Sequence, residues 1–235
     1  MKVLIIIPAF NEEGNLPGLI SDIRRCGNGY DMVVIDDSSS DNTSEVARQL
    51  GVPALRLAAN LGIGGAVQTG FKYAVRHAYD VVVQMDGDGQ HDPRWLEDVL
   101  TPIRRGEADC VIGSRYLREG RDIEYKTPFT RRVGMHFSSG ILFLATRLHV
   151  TDTTSGFRAL NREAITYFAR YYPVDHPEAE ALLMLHRNGF RIVEVPIKMR
   201  IRVMGTSLFT FTKAALYPIR VIIGFAGLLL QRKKM

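Results

Sequence analysis

Through the first 115 residues, short β-branched runs alternate with stretches of helical patterning, and this alternation restricts the possible architectures more than any other feature. Strands are expected near 3–7, 32–36, 54–58, 80–86 and 109–114, with helices near 15–25, 41–50, 64–78 and 93–105. Strands separated by helices pair in parallel, and the crossover helices then cover both faces of the sheet. The helix at 64–78 carries Val67, Phe71, Ala74, Val75 and Ala78 at the 3.6-residue period. Asp41, followed by Ser44 and Glu45, supplies an N-cap region for the preceding helix of that series, at 41–50. In an α/β sheet of this kind, ligands gather outside the carboxyl ends of the strands. Polar motifs fall there repeatedly: Pro8-Ala9-Phe10-Asn11-Glu12-Glu13, Asp36-Asp37, Asn60-Leu61-Gly62 and Asp86-Gly87-Asp88.

From about residue 116 the texture changes to a basic loop, an apolar stretch at 137–148, a turn-rich segment from Thr151 to Gly156, and helices near 161–170 and 178–188. No Pro/Gly/Ser linker divides this part off, so it is expected to build onto the sheet. The expected organisation is one catalytic domain over 1–211, with halves 1–115 and 116–211, followed by a tail at 212–235. Residues 1 to 110 carry 10 Lys+Arg against 16 Asp+Glu, a net −6, whereas 111 to 235 carry 20 against 9, a net +11. An acidic half suits a cation, and a basic half suits phosphates or an anionic membrane. No nucleic-acid-binding motif accompanies the positive charge. Cys26 and Cys110 stand far apart without metal-ligand spacing, which excludes a disulfide scaffold and fits a reducing cytosol. The apolar run Val3 to Ile7 is too short for a signal peptide or a membrane span.

The chemistry concentrates at Asp86 and Asp88, which end the run Val81 to Met85. Residues i and i+2 of an extended chain point to one side, and two carboxylates so placed attract a cation. Hard oxygen ligands favour Mg²⁺ or Mn²⁺, which bridge the phosphates of a nucleotide. A calcium loop starting at Asp86 fails at its sixth position, where His91 replaces the required Gly. Gly62 to Ala66 does not complete the dinucleotide fingerprint, because Val67 takes the last glycine position. Gly65 to Gly70 has P-loop spacing, but Phe71-Lys72 follows instead of Lys-Ser/Thr.

Pro8 to Glu13, Val34 to Thr43, Asn60 to Gly62, Met85 to Pro93 and Gly113 to Tyr116 together resemble glycosyltransferase family 2. The likeness continues through Asp152 to Arg158 and Gly189 to Pro196, and is nearest to the dolichyl-phosphate mannose synthase type of polyprenyl-phosphate glycosyltransferase. The resemblance implies a GT-A fold, with a mixed, mainly parallel sheet flanked by helices, and an inverting displacement at the anomeric carbon. It implies a donor pocket of Pro8, Ala9, Asn11, Glu12, Asp36, Asp37, Gly62, Asp86, Gly87 and Asp88, with the metal held by Asp86, Asp88 and Gln90. It implies Arg115, Arg131, Ser155 and Arg202 on the acceptor side, and Asp152 as the candidate general base, with Asp152, Asp88 and Arg115 the catalytic set. Asp36 can equally cap its own turn, and Asp152 can brace Thr153 to Ser155. Glu178 and Glu180 near His176 form a second carboxylate group, and His91 reads as a turn residue or a ligand.

The implied partners are a UDP- or GDP-linked sugar, a polyprenyl phosphate or lipid-linked glycan, a membrane surface and a small membrane-protein partner. The implied location is cytoplasmic, peripheral on the inner face of the cell membrane. One departure stands out: Arg202 to Ser207 is followed by Leu208, where such synthases carry Lys, and Lys198, Arg200 or Arg202 are the candidates to compensate. In the tail, Pro218 and Arg220 leave only ten uninterrupted apolar or glycine residues, Val221 to Leu230, which suits an amphipathic helix on the membrane rather than a span of about 20 residues.

Overall fold

The computed structural model describes residues 1–26, 29–117, 129–173, 177–201 and 222–230, without the side chains of 129–134, 136 and 177. Strands β1 (Val3–Ala9), β2 (Asp31–Asp36), β3 (Ala54–Arg56), β4 (Val81–Gln84) and β5 (Cys110–Ser114) follow the expected alternation. Between them run α1 (Leu16–Arg25), α2 (Thr43–Gln49), α3 (Gly62–Arg76) and α4 (Leu96–Arg104), the last entered by a 3₁₀ turn at Pro93–Trp95. The second half adds α5 (Phe129–Thr146), β6 (Arg158–Asn161), α6 (Arg162–Arg170), α7 (Pro177–Arg187) and β7 (Ile192–Pro196). The seven strands among the described residues form one sheet in the order β3-β2-β1-β4-β6-β5-β7.

β1 sits between β2 and β4 and pairs in parallel with both. Its residues alternate between two cores. Leu4 and Ile6 pack beneath α3, α6 and α7, while Val3, Ile5 and Ile7 pack beneath α1, α2 and α4. Both faces of β1 are therefore dry, which explains an uninterrupted apolar run where a half-exposed strand would alternate with polar residues. Truncating fully buried Ile5 or Ile6 to Ala should cost about 2–5 kcal/mol.

β6 departs from the simple parallel expectation. It inserts antiparallel between β4 and β5, and β7 then pairs in parallel with β5. Four residues beginning with an arginine carry too little periodicity to announce a strand. Asn161 ends β6 and caps α6 by accepting the Ala164 N–H at 2.9 Å. The insertion carries the turn at 151–157 to the rim where β1 and β4 end.

Within the tail, residues 222–230 are helical. Phe225 is buried in the core beside α7, and Gly224 lies directly against Glu180 of α7, where a side chain would collide. One side of this helix is thus packed on the protein itself. Ile223 is 66% exposed and Leu230 87%. Among the described residues no helix is long and apolar enough to cross a membrane. Lys213, Arg220, Arg232, Lys233 and Lys234, expected to flank the tail, lie outside the described residues.

Candidate active site

The carboxyl ends of β1, β2 and β4 are stitched into one rim by backbone bonds. Asp37 donates its N–H to the Ala9 carbonyl at 2.9 Å, and Gly87 donates to the Pro8 carbonyl at 3.0 Å. A Cβ at Gly87 would come within 3.1 Å of both the Ala9 Cβ and the Pro8 oxygen, a tight contact that glycine avoids. Asn11 turns the chain with φ +56° and receives the Ser40 N–H on its side-chain oxygen at 2.8 Å. Buried Glu12 donates its N–H to Thr43 Oγ1 and accepts from Asn15 Nδ2. Pro8, Ala9, Asn11, Glu12, Asp37 and Gly87 therefore share one rim.

The neighbouring acids Asp36 and Asp37 are held differently. Burial would raise both pKa values. At Asp36 the bonds from the Ser39 N–H and the Ser44 hydroxyl outweigh it and hold the carboxyl below its ordinary value. Asp36 is wholly buried and braces its own turn, so the capping alternative describes its geometry. At Asp37 burial prevails and the pKa is raised, although Oδ1 accepts the Leu61 N–H at 2.7 Å. Asp37 thereby occupies the entry to α3. Gly62, with φ +75°, spends its N–H on Asn60 Oδ1.

Asp86 directly follows β4, between the Met85 N–H on the Ile6 carbonyl and the Gly87 N–H on the Pro8 carbonyl, and Asp88 lies in the turn beyond it. β4 ends at Gln84, and that turn is closed by Gly89 at φ +73° and by the Gln90 N–H on Asp88 Oδ1 at 3.0 Å. The Asp86 side chain is 36% exposed. Gln84 Nε2 reaches its Oδ1 at 3.2 Å. Gly156 faces it so closely that an added Cβ would stand 2.7 Å from Oδ2. Gln90 Nε2 donates to the Arg200 carbonyl at 3.4 Å, which leaves Oε1 as the amide's acceptor. Among the described residues no third His, Cys, Asp or Glu joins the pair. Carboxylate and amide oxygens without thiolate fit a hard divalent cation whose remaining positions are filled from outside the protein, as the phosphates of a nucleotide would fill them.

On the side expected to meet the acceptor, Arg115 turns its guanidinium to Asp152. Its Nε and Nη2 grip the two oxygens of Asp152 at 2.7 Å each, and Nη2 also donates to Thr154 Oγ1 at 2.8 Å. The Asp152 side chain is 0% exposed. Ser155 is buried as well, its hydroxyl accepting the Phe157 N–H. Arg200 does not replace the missing lysine, because it bridges Asp22 and Asp92. Arg202, the side chain of Arg131, and His176 lie outside the described residues.

Two contributors escaped the sequence reading. Glu194 of β7 accepts the N–H groups of Thr151 and Asp152 at 2.7 and 2.9 Å, and burial raises its pKa. An acid within Ile192-Val193-Glu194-Val195 was the available signal. Gly156, against Asp86, had none beyond its place in a turn.

The sequence model of the family described as "Glycosyl transferase family 2" matches residues 4–168, which span β1 through most of α6. An undecaprenyl-phosphate mannosyltransferase from Micrococcus luteus is 33% identical over 88% of this chain and 87% of its own. A UDP-N-acetylglucosamine–dolichyl-phosphate N-acetylglucosaminyltransferase from Methanococcus voltae is 32% identical over 83% of this chain and 84% of its own. In three dimensions the chain is similar to glucosyl-3-phosphoglycerate synthase from Mycobacterium tuberculosis, solved with Mn²⁺, UDP and phosphoglyceric acid, with a TM-score of 0.73, 20% identity, and coverage of 96% of this chain and 78% of that one. The fold is GT-A, and by sequence the chain belongs to glycosyltransferase family 2.

Proposed function

We propose that this chain transfers a sugar, with inversion, from a UDP- or GDP-linked donor to a polyprenyl phosphate at the cytoplasmic face of a membrane. Pro8, Ala9, Asn11, Glu12 and Asp37 line the nucleoside pocket, and Asp86, Asp88 and Gln90 hold Mg²⁺ or Mn²⁺. The bound cation would offset the charge that develops on the leaving diphosphate. An acceptor phosphate oxygen attacks the anomeric carbon opposite the leaving group, one C–O bond forming as the other breaks.

The observation that carries the choice of acceptor is the Arg115–Asp152 pair. A hydroxyl acceptor needs a base to take its proton, and Asp152 has both oxygens on Arg115 with no exposed surface. A phosphate is already ionised near neutral pH and needs little such help. The polyprenyl-phosphate acceptors in the names of the relatives support the same choice. A membrane location is supported by the exposed Ile222, Ile223, Leu229 and Leu230 on the tail helix and by Phe143 and Leu144 on α5.

Nucleotide release from a panel of UDP- and GDP-sugars, with and without a short polyprenyl phosphate, tests this reading. Release should rise on adding the lipid phosphate and vanish in EDTA. Release that ignores the lipid, or survives EDTA, would overturn the acceptor or the metal assignment respectively.

A further inference from the structure

We propose that His91 is a positioning residue for the Asp86 carboxylate, resting on the reading of Asp86 and Asp88 as the cation site. His91 is 2% exposed, and its Nδ1 accepts the Asp86 backbone N–H at 3.0 Å. That bond fixes the tautomer: Nδ1 is the acceptor, so the proton of the neutral ring sits on Nε2. Nε2 in turn lies 3.9 Å from Asp86 Oδ2. A single ring thus holds the backbone of Asp86 from one atom and faces its carboxylate with a polarised N–H from the other.

The ring is itself held in place. It stacks on Phe157 with centroids 5.2 Å apart and planes 18° from parallel. The His91 backbone bridges to Met199. Phe157 follows Gly156, which lies against the Asp86 carboxylate, and the Phe157 carbonyl is anchored by the Gly113 N–H at 2.9 Å. Asp86 is therefore confined by Gln84, by His91 and by the turn at 156–157. The stack on Phe157 fixes both the ring and that turn, and so sets where a cation-binding oxygen can stand.

Three substitutions separate this role from simple core packing. His91→Phe keeps the stack and removes the acceptor. His91→Asn places an acceptor oxygen near the position of Nδ1, and His91→Gln places its amide near the position of Nε2. Mn²⁺ binding in the presence of UDP is followed by loss of the free-ion EPR signal, with thermal melting as the check on folding. His91→Phe and His91→Gln should weaken Mn²⁺ binding about ten- to a hundredfold and His91→Asn about threefold or less, the range seen when an outer partner of a metal ligand is removed. Melting temperatures should change little. Should His91→Phe not fold, the Asn and Gln variants still make the comparison. Mn²⁺ affinity equal to wild type in the Phe or Gln variant, or equal losses in the Asn and Gln variants, would overturn the proposal. If Asp86→Asn binds Mn²⁺ as wild type does, the cation site itself is misassigned and the proposal falls with it.

Discussion

The two ends of the rim treat their carboxylates in opposite ways. At the donor end Asp86 is 36% exposed, faced by a glycine and by neutral donors. At the acceptor end Asp152 is 0% exposed and matched within the chain by the guanidinium of Arg115. An acid that carries its own cation is a structural element, because a buried pair that loses one partner leaves an uncompensated charge. On the function proposed above, a half-exposed acid beside Asp88 is the place for a cation from outside. The same residue type is thus buried and paired at one end and half-exposed at the other.

The contrast breaks first at Asp88. Asp88→Asn should lower turnover roughly a thousandfold or more with an unchanged melting curve, because a neutral amide is a poor ligand for a hard cation. Near wild-type turnover would remove the metal from the mechanism. Arg115→Ala should do the reverse and destabilise the fold by about 3–5 kcal/mol, read from urea unfolding, since Asp152 is left charged and buried. Replacing Arg115 and Asp152 together by apolar residues should restore most of that loss. If Arg115→Ala instead folds as wild type and loses only acceptor affinity, Arg115 leaves Asp152 to bind the acceptor phosphate.

Gly156→Ala joins the two ends. Its Cβ would meet Asp86 Oδ2 at 2.7 Å and must displace it, so kcat/KM should fall about ten- to a hundredfold, the cost of misplacing a catalytic group by an ångström. Unchanged Mn²⁺ affinity and rate would show that the turn yields without moving Asp86. The smallest effect belongs to Asp36. Its folded pKa lies below the ordinary 3.8, so its stabilising contribution is present above that value and is lost as pH falls through the lower, folded value. Asp36→Asn should therefore cost about 1–3 kcal/mol near neutral pH, shrinking in acid below about pH 3.8. A deficit that stays constant with pH would detach it from the charge.

Much of this layout was legible in the sequence because local patterning and global fold agree in the first half. Apolar runs such as Val3–Ile7, Met32–Ile35 and Val81–Val83 mark buried parallel strands, and each is followed by a polar motif that reaches the rim. Legibility failed where contacts are made between distant segments. β6 is four residues long and takes its meaning from β4 and β5 on either side. The fates of Arg115 and Asp152 depend on a contact across 37 positions, and spacing alone cannot say that two residues expected to meet a ligand meet each other. Asp86 and Asp88 were placed by the end of an apolar run, and β4 does end two residues before Asp86, with Asp88 in the turn that follows. Glu194 shows the complement: an acid inside an apolar strand signals a buried partner, here the backbone of Thr151 and Asp152.

The most direct test of a phosphate acceptor uses a donor labelled in the sugar and a short polyprenyl phosphate on liposomes, with the lipid product extracted and treated with mild acid. Transfer to phosphate makes a glycosyl phosphodiester, and the label should return to the aqueous phase as free sugar on that treatment, with none formed in EDTA. A lipid product whose label survives mild acid would be a glycoside of a hydroxyl, which would contradict the phosphate acceptor and require a base other than the buried Asp152.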